Sequence, residues 1–187
     1  MSYIGTSNAA NPTLIAATTV SSATASVTFD GVFKDYTNHY KLVSVDMTID
    51  DANTNIRVYR RNGGSDITTQ LNWQGHNGNM QSGETTNVMV NQTQEGYTDT
   101  IADQTGTDGT RHTNHFIIDY FPNVANMPSD MAQALTIGAG VWYDDAGDAW
   151  WHERTSTLIG STSFDGVRIA CADGNIAGGK FYIYAMV

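Results

Sequence analysis

The chain of 187 residues has little of what staples or kinks a protein, with one cysteine and three prolines. A single cysteine cannot form an internal disulfide, so Cys171, on a predicted core strand, is expected to be a small buried hydrophobe. No apolar run is long enough to cross a bilayer, and no N-terminal secretion signal is recognisable. We therefore expect neither membrane insertion nor export by such a signal.

Basic residues are also scarce, which argues against nucleic acid as a partner. The chain has nine lysines and arginines, a net charge of −10, and one basic cluster at Arg57, Arg60 and Arg61. Binding a phosphate backbone requires many clustered cations. Charged residues make up only 15% of the chain, below the usual quarter, and many of the remaining positions are Thr, Asn, Ser or Gly. This composition favours short strands joined by turns.

Helical periodicity is missing as well, whereas apolar residues alternate with polar ones in segment after segment. No stretch shows a helical pattern over three turns, and we count roughly ten candidate strands at spacings of about ten residues. The sequence therefore predicts an all-β protein, a single jelly-roll-like antiparallel β-sandwich. We place this domain at residues 13–187 and an extended N-terminal arm at residues 1–12.

One strong strand is predicted at Tyr40–Ile49, followed by a polar loop and a second strand at Ile56–Arg61. The connection of about six residues is short enough for the two strands to form a hairpin. Because neighbours on a strand alternate between faces, one face of the first strand is predicted to carry Val43, Val45, Met47 and Ile49.

A second hairpin is predicted at the C-terminus, from the apolar runs Val167–Cys171 and Phe181–Ala185. Glycines, Asp and Asn between them suit a tight turn. The last run carries aromatic residues on both faces, which suits an interior strand. By contrast, Gln74–Glu84 and Gln92–Thr110 are rich in glycine and polar residues and are predicted to be surface loops.

A hairpin with an unusually aromatic tip offers the first candidate site. Its turn carries three carboxylates near a glycine, at Asp144, Asp145 and Asp148, and we interpret them as an ordinary turn more readily than as a calcium site. The flanking aromatic residues are Trp142, Tyr143, Trp150 and Trp151. Alternation turns one member of each pair away from the core. Such aromatics suit either a subunit contact, which we favour, or stacking on a sugar ring.

Metal and catalytic sites have weaker signals. Asp51–Asn55 begins like a calcium loop but lacks the glycine and the closing glutamate. His112 and His115 are three residues apart on a strand and face opposite ways, so they do not make a zinc pair. No local triad signature occurs, and an acid pair for glycoside cleavage would have to come from Asp119, Glu153 or Asp165. Nothing selects an enzyme, and we expect no metal or cofactor.

The C-terminal sequence GNIAGGKFYIYAMV, preceded by FDGVRIA, resembles the closing signature of a β-sandwich module common in tailed-bacteriophage virion proteins. The matching positions are Val167–Ile169, Gly174–Ala177, Gly179 and Tyr184. The segment TASVTFDGVFKDYTNHYKLVSVDM is similar to the opening of the module, Phe116–Asn123 to its central strand, and MSYIG to the start of many phage surface proteins. The sequence departs from the family at Ala185-Met186 and at Trp150-Trp151.

The resemblance implies a structural protein on the virion surface, often a homotrimer, made in the host cytoplasm and without catalytic residues. We expect it to contact other virion proteins as a capsid decoration (cement) protein. The contact candidates are Tyr3 and Ile4 of the arm and the four aromatic residues of the hairpin. The alternative is a tail-fibre or spike tip that binds a host surface glycan, and a remote alternative is a carbohydrate-active enzyme.

Overall fold

The computed structural model describes residues 11–34, 39–51, 54, 56–67, 71–79, 88–94, 100–102, 114–121, 135–143, 149–158 and 164–186. These residues form thirteen strands and no helix, which confirms the all-β class. The strands are β1 Pro12–Val20, β2 Ser26–Phe29, β3 Tyr40–Ile49, β4 Ile56–Asn62, β5 Ser65–Asp66, β6 Leu71–Asn79, β7 Val88–Gln94, β8 Thr100–Ala102, β9 Asn114–Phe121, β10 Leu135–Tyr143, β11 Ala149–Leu158, β12 Gly166–Cys171 and β13 Ile176–Met186.

Two antiparallel sheets pack together, so the predicted β-sandwich is confirmed. The larger sheet has eight strands in the order β1-β13-β3-β9-β10-β11-β6-β7, and the smaller has β2-β12-β4-β5, with β8 also paired to β4. The C-terminal strand β13 lies between β1 and β3, the interior position predicted for it. Residues 1–10, which include most of the predicted arm, lie outside the described residues, and β1 begins at Pro12.

The core lies between the two sheets and is built from alternate residues of the strands that face each other. The larger sheet supplies Leu42, Phe116, Ile118, Phe181 and Ile183, and the smaller supplies Val27, Ile56, Val58, Val167 and Ile169, all buried. Burying each such side chain contributes about 1.5–3 kcal/mol. One end of the core is aromatic, where Phe33 contacts Tyr40, Tyr120 and Phe164. Arg60 is buried there with its guanidinium over the Phe164 ring.

The hairpin predicted from Tyr40–Ile49 and Ile56–Arg61 and the hairpin predicted at the C-terminus are both wrong, because each of these connections crosses from one sheet to the other. Strand β3 pairs with β13 and β9 in the larger sheet, whereas β4 pairs with β12 in the smaller one. Likewise β12 lies in the smaller sheet and β13 in the larger. A short polar connection serves an arch between stacked sheets as well as a hairpin, so connection length did not distinguish them. The β10–β11 hairpin, by contrast, is confirmed.

The two crossovers lie side by side and are bonded to each other. The backbone and side-chain amides of Asn175 donate to the Asp50 carboxylate at 2.5 and 2.9 Å, and these two hydrogen bonds lower the pKa of Asp50. The Asp173 amide donates to the buried hydroxyl of Thr54 at 2.8 Å. Gly174 has φ of +73°, and a Cβ there would lie 2.4 Å from that of Asp51, so only glycine fits. Gly174 and Asn175 therefore hold the two arches in contact.

The predicted shared face of β3 is corrected by a β-bulge. Ser44 pairs with Phe116 and Met47 with Asn114, so β3 carries one residue more than β9 between these pairs. Asp46 takes up the extra residue with a left-handed φ of 52°. Alternation restarts after the bulge, so Met47 and Ile49 are buried in the core while Val43 and Val45 face outward.

Two predicted loops also contain strands. β6 continues through Asn79 into the segment assigned to the first loop, and β7 and β8 lie partly or wholly within the second. The glycines and amides of β6 have low strand propensity, but β6 is paired on both sides, with β11 and β7. Pairing within the sheet overrides propensity here.

Candidate functional site

The outer face of the larger sheet carries apolar side chains where an exposed sheet face usually carries polar ones. Val43 of β3 pairs with Ile117 of β9, which pairs with Ala139 of β10. In a neighbouring row, Val141 of β10 pairs with Trp151 of β11. Residues opposite one another across antiparallel strands lie on the same face. Four adjacent strands thus place these side chains together on the face away from the core.

Together with Val45 and His115, these residues line a shallow groove with a volume of about 560 Å³; we call it the outer groove. Ile117 lies in its middle and is 45% exposed, and Leu14 is the other large hydrophobic residue found exposed in the described part of the chain. A contiguous exposed apolar surface is typical of a binding or assembly surface, because covering it removes apolar area from water.

The bulge in β3 forms the rim of the outer groove. The backbone amide of Asp46 donates to Nδ1 of His115 at 3.3 Å, and the carboxylate lies 3.7 Å from Nε2 of the same ring. Behind the bulge, Gly179 has φ of +131°, and a Cβ there would lie 2.8 Å from Cα of Met47. Asp46 is a non-glycine residue in a sparsely populated conformation, a feature often found at functional sites.

A polar cluster lies on the same face towards the other end of β3 and β9. His39 Nε2 is 2.7 Å from Oδ1 of Asp119, Lys41 Nζ is 3.4 Å from the same oxygen, and the His39 ring stacks on Phe121. Of the carboxylates considered for an acid pair, Asp119 is thus engaged by two basic groups. Asp165 lies beside the smaller sheet, where Oδ2 accepts from the Gly63 amide. The side chain of Glu153 lies outside the described residues.

The outer face of the smaller sheet carries a network of charged groups that contact each other. Arg61 contacts Asp30 at 2.5 Å and Asp66 at 2.6 Å, and Arg168 contacts the second oxygen of Asp66 at 2.5 Å. The Arg168 guanidinium also lies 3.8 Å above the Tyr59 ring centre. Partial burial acts to raise the pKa of Asp66, but hydrogen bonds and charges from Arg168 and Arg61 outweigh it and lower that pKa.

Of the predicted contact residues, the structure places Trp151 in the outer groove. Trp142 and Trp150 pair with each other near the end of the β10–β11 hairpin, and Tyr143 pairs with Ala149. The side chains of Trp142, Tyr143 and Trp150 lie outside the described residues. So do Tyr3 and Ile4 and the three aspartates Asp144, Asp145 and Asp148.

Sequence reasoning did not find the outer groove itself. The only signal was apolarity on both faces of β3, in the segment YKLVSVDM, and of β9, in HFIID. A strand that is apolar on both faces predicts contact on both, but the sequence does not show that these strands are neighbours.

Within the described residues, no cluster of three or more His, Cys, Asp or Glu side chains is arranged to hold a metal ion. Cys171 is half-buried beside the core. Its burial, and to a smaller extent the negative charges of Asp50 and Asp51, raise the pKa of its thiol to about 12. In the same described ranges, no helix has the length and apolarity needed to span a membrane.

Comparison with known proteins gave no match to any family model, any curated protein or any solved structure.

Proposed function

We propose that this protein is a structural protein of the bacteriophage virion surface, a capsid decoration protein that attaches to the shell through the outer groove. The observation that carries the proposal is the apolar surface formed by Val43, Ile117 and Val141 on a sheet face turned away from the core. The similarity of the C-terminal signature to virion β-sandwich modules supports the same assignment.

The chemistry of the outer groove favours a protein partner over a sugar. A sugar site combines an aromatic platform with several polar groups that bond the hydroxyls. Trp151 supplies a platform, but apart from it and His115 the outward side chains that line the groove are aliphatic: Val43, Val45, Ile117, Ala139 and Val141. A tail-tip protein that binds host glycan therefore remains the second candidate, supported by Trp151 alone.

Copy number per particle tests the placement. The chain is quantified by mass spectrometry in purified virions against the major capsid protein. A ratio on the order of one copy per shell subunit is the result expected of a decoration protein. A few tens of copies per particle would place it on the tail instead, and complete absence from particles would refute a virion role.

A charge placed in the outer groove tests the attachment surface. Ile117→Glu puts a carboxylate where the proposal requires apolar contact. The purified variant should therefore bind capsid shells that lack the decoration protein at least tenfold more weakly than wild type does. Ser65→Glu adds the same charge at an exposed position on the other sheet and should bind normally. Equal binding by the two variants would show that shells attach elsewhere. The homotrimer implied by the family resemblance remains a prediction that competes with the dimer proposed below, and solution mass distinguishes the two.

A further inference from the structure

One edge strand of each sheet comes from the same N-terminal part of the chain. Strand β1 is first in the order of the larger sheet and β2 first in that of the smaller. A hydrogen-bonded bridge between Thr24 and Ile176 holds the connection between them against β13. In the described residues, no strand pairs with the free side of either edge. An unpaired edge presents a row of backbone donors and acceptors that can pair with another chain.

Strand β1 lacks most of the features that protect edges from pairing. Natural edge strands are commonly short, charged, bulged or interrupted by proline; of these features β1 has a bulge between Leu14 and Ala16. Strand β1 has nine residues, its one proline is its first residue, and the chain carries no Asp, Glu, Lys, Arg or His from Met1 to Phe29. In a chain of net charge −10 this is the longest uncharged stretch of the sequence, so two copies can meet here without bringing like charges together.

The surroundings of the edge are equally neutral, and the core is partly open beside it. A groove of about 300 Å³ separates β1 from β2 and is lined largely by hydroxyl side chains, among them Thr18, Thr19, Ser22, Ser26 and Thr28. Ile15, Ala16 and Val20 of β1 pack against the core but remain half-buried. Leu14, on the same strand, is 52% exposed. A chain that pairs with β1 would cover apolar area as well as bond the free edge.

We propose that β1 pairs antiparallel with β1 of a second copy across a two-fold axis, joining two eight-stranded sheets into one. Strand β1 is the longest of the edge strands: β7, at the other edge of the larger sheet, has seven residues, and β2 and β5 of the smaller sheet have four and two. A self-complementary contact of this kind closes at two copies. This association concerns the protein alone and does not depend on attachment to a shell, so the two proposals can fail separately.

Solution mass tests the pairing directly. The full chain of 20.3 kDa should have the mass of a dimer at about 50 µM protein, in the range where micromolar contacts are populated. Ala17, exposed and near the middle of β1, is the position for charge variants. Ala17→Glu and Ala17→Lys should each be monomeric at low salt, because an axis near the middle of β1 brings the like charges of two copies close together. An equimolar mixture of the two should recover the dimer.

Controls separate the edge from other surfaces. Ala17→Gln has the size of Ala17→Glu without its charge and should stay dimeric, as should Ser65→Glu, whose charge lies on β5 at the opposite edge of the smaller sheet. Circular dichroism should show that every variant is folded. Monomeric wild type, a trimer, or a dimer that survives Ala17→Glu would overturn the proposal. So would a dimer lost on deletion of residues 1–10 while the Ala17 charge variants remain dimeric, since the arm would then be the occupant.

Discussion

The outer faces of the two sheets differ in chemistry: one carries linked ion pairs and the other an apolar groove. On the smaller sheet, Asp66 binds Arg61 and Arg168, and Arg61 also binds Asp30, so the charged groups serve as one another's partners. On the larger sheet, Val43, Ile117 and Trp151 form the outer groove, where apolar side chains meet solvent beside one paired cluster at Asp119. A face whose polar groups are paired gains little from being covered. An apolar face gains free energy when a partner covers it.

This difference assigns separate roles to the two faces. Substitutions that remove a charged group from the outer face of the smaller sheet should lower the free energy of unfolding of the isolated protein. Each one leaves the ion-pair partner of that group without its contact. Substitutions in the outer groove should leave that stability nearly unchanged and act on association instead. The charge-free edge at β1 belongs with the second group, since its free backbone groups also lack a partner within the described residues.

The largest expected effect contrasts two neighbours on β9 that face opposite ways. Ile118 is 1% exposed in the core and Ile117 is 45% exposed in the outer groove. Ile118→Ala leaves a cavity and should lower the free energy of unfolding by about 3 kcal/mol. Ile117→Ala should change it by only about 0.5 kcal/mol. Urea unfolding followed by fluorescence measures both. Equal losses would mean that the groove face is packed within the isolated chain.

A smaller loss in the free energy of unfolding is expected on the outer face of the smaller sheet. Asp66→Asn removes the carboxylate shared by Arg61 and Arg168 and should cost about 2 kcal/mol, the usual size for hydrogen bonds between charged groups that are partly buried. Asp173→Asn makes the same chemical change at an exposed position and should be nearly neutral. If Asp66→Asn proves as harmless as this control, the ion pairs on the smaller sheet do not stabilise the fold.

Alternation in the sequence was enough to predict an antiparallel sandwich and to identify most of its strands, because a face buried against another sheet needs apolar side chains at every second residue. It could not show which sheet each strand joins. The loop after Ile49 and the turn around Gly174 have the polar residues and glycine that suit hairpins, yet both are arches. The deciding contacts are between the two arches, at Asp50 and Asn175, 125 residues apart.

The outer groove was beyond prediction for a related reason. Asp46 forms the bulge without the glycine that usually marks a left-handed residue, so the sequence assigned Val43 and Met47 to one face. Trp151 was a candidate because of its aromatic neighbours in the sequence. Its actual neighbours include Val141 and His115, which reach the groove through the order of strands in the sheet. Strand order depends on long-range pairing that local patterns do not encode.

The smallest expected effect is the acid limb of the stability profile. Arg168 and Arg61 hold the pKa of Asp66 below its ordinary value against the opposing effect of burial. A carboxyl with a lower pKa in the folded than in the unfolded state contributes stability that is fully present above the unfolded pKa. That contribution is lost as the pH falls through the folded pKa. Unfolding free energy should therefore decline below about pH 4, and Asp66→Asn should make the decline shallower. The part due to Asp50, whose pKa Asn175 lowers, should remain in that variant. An acid limb of unchanged slope in Asp66→Asn would mean that the two arginines do not favour ionised Asp66 in the folded protein, and the contrast between the two faces would then rest on burial alone.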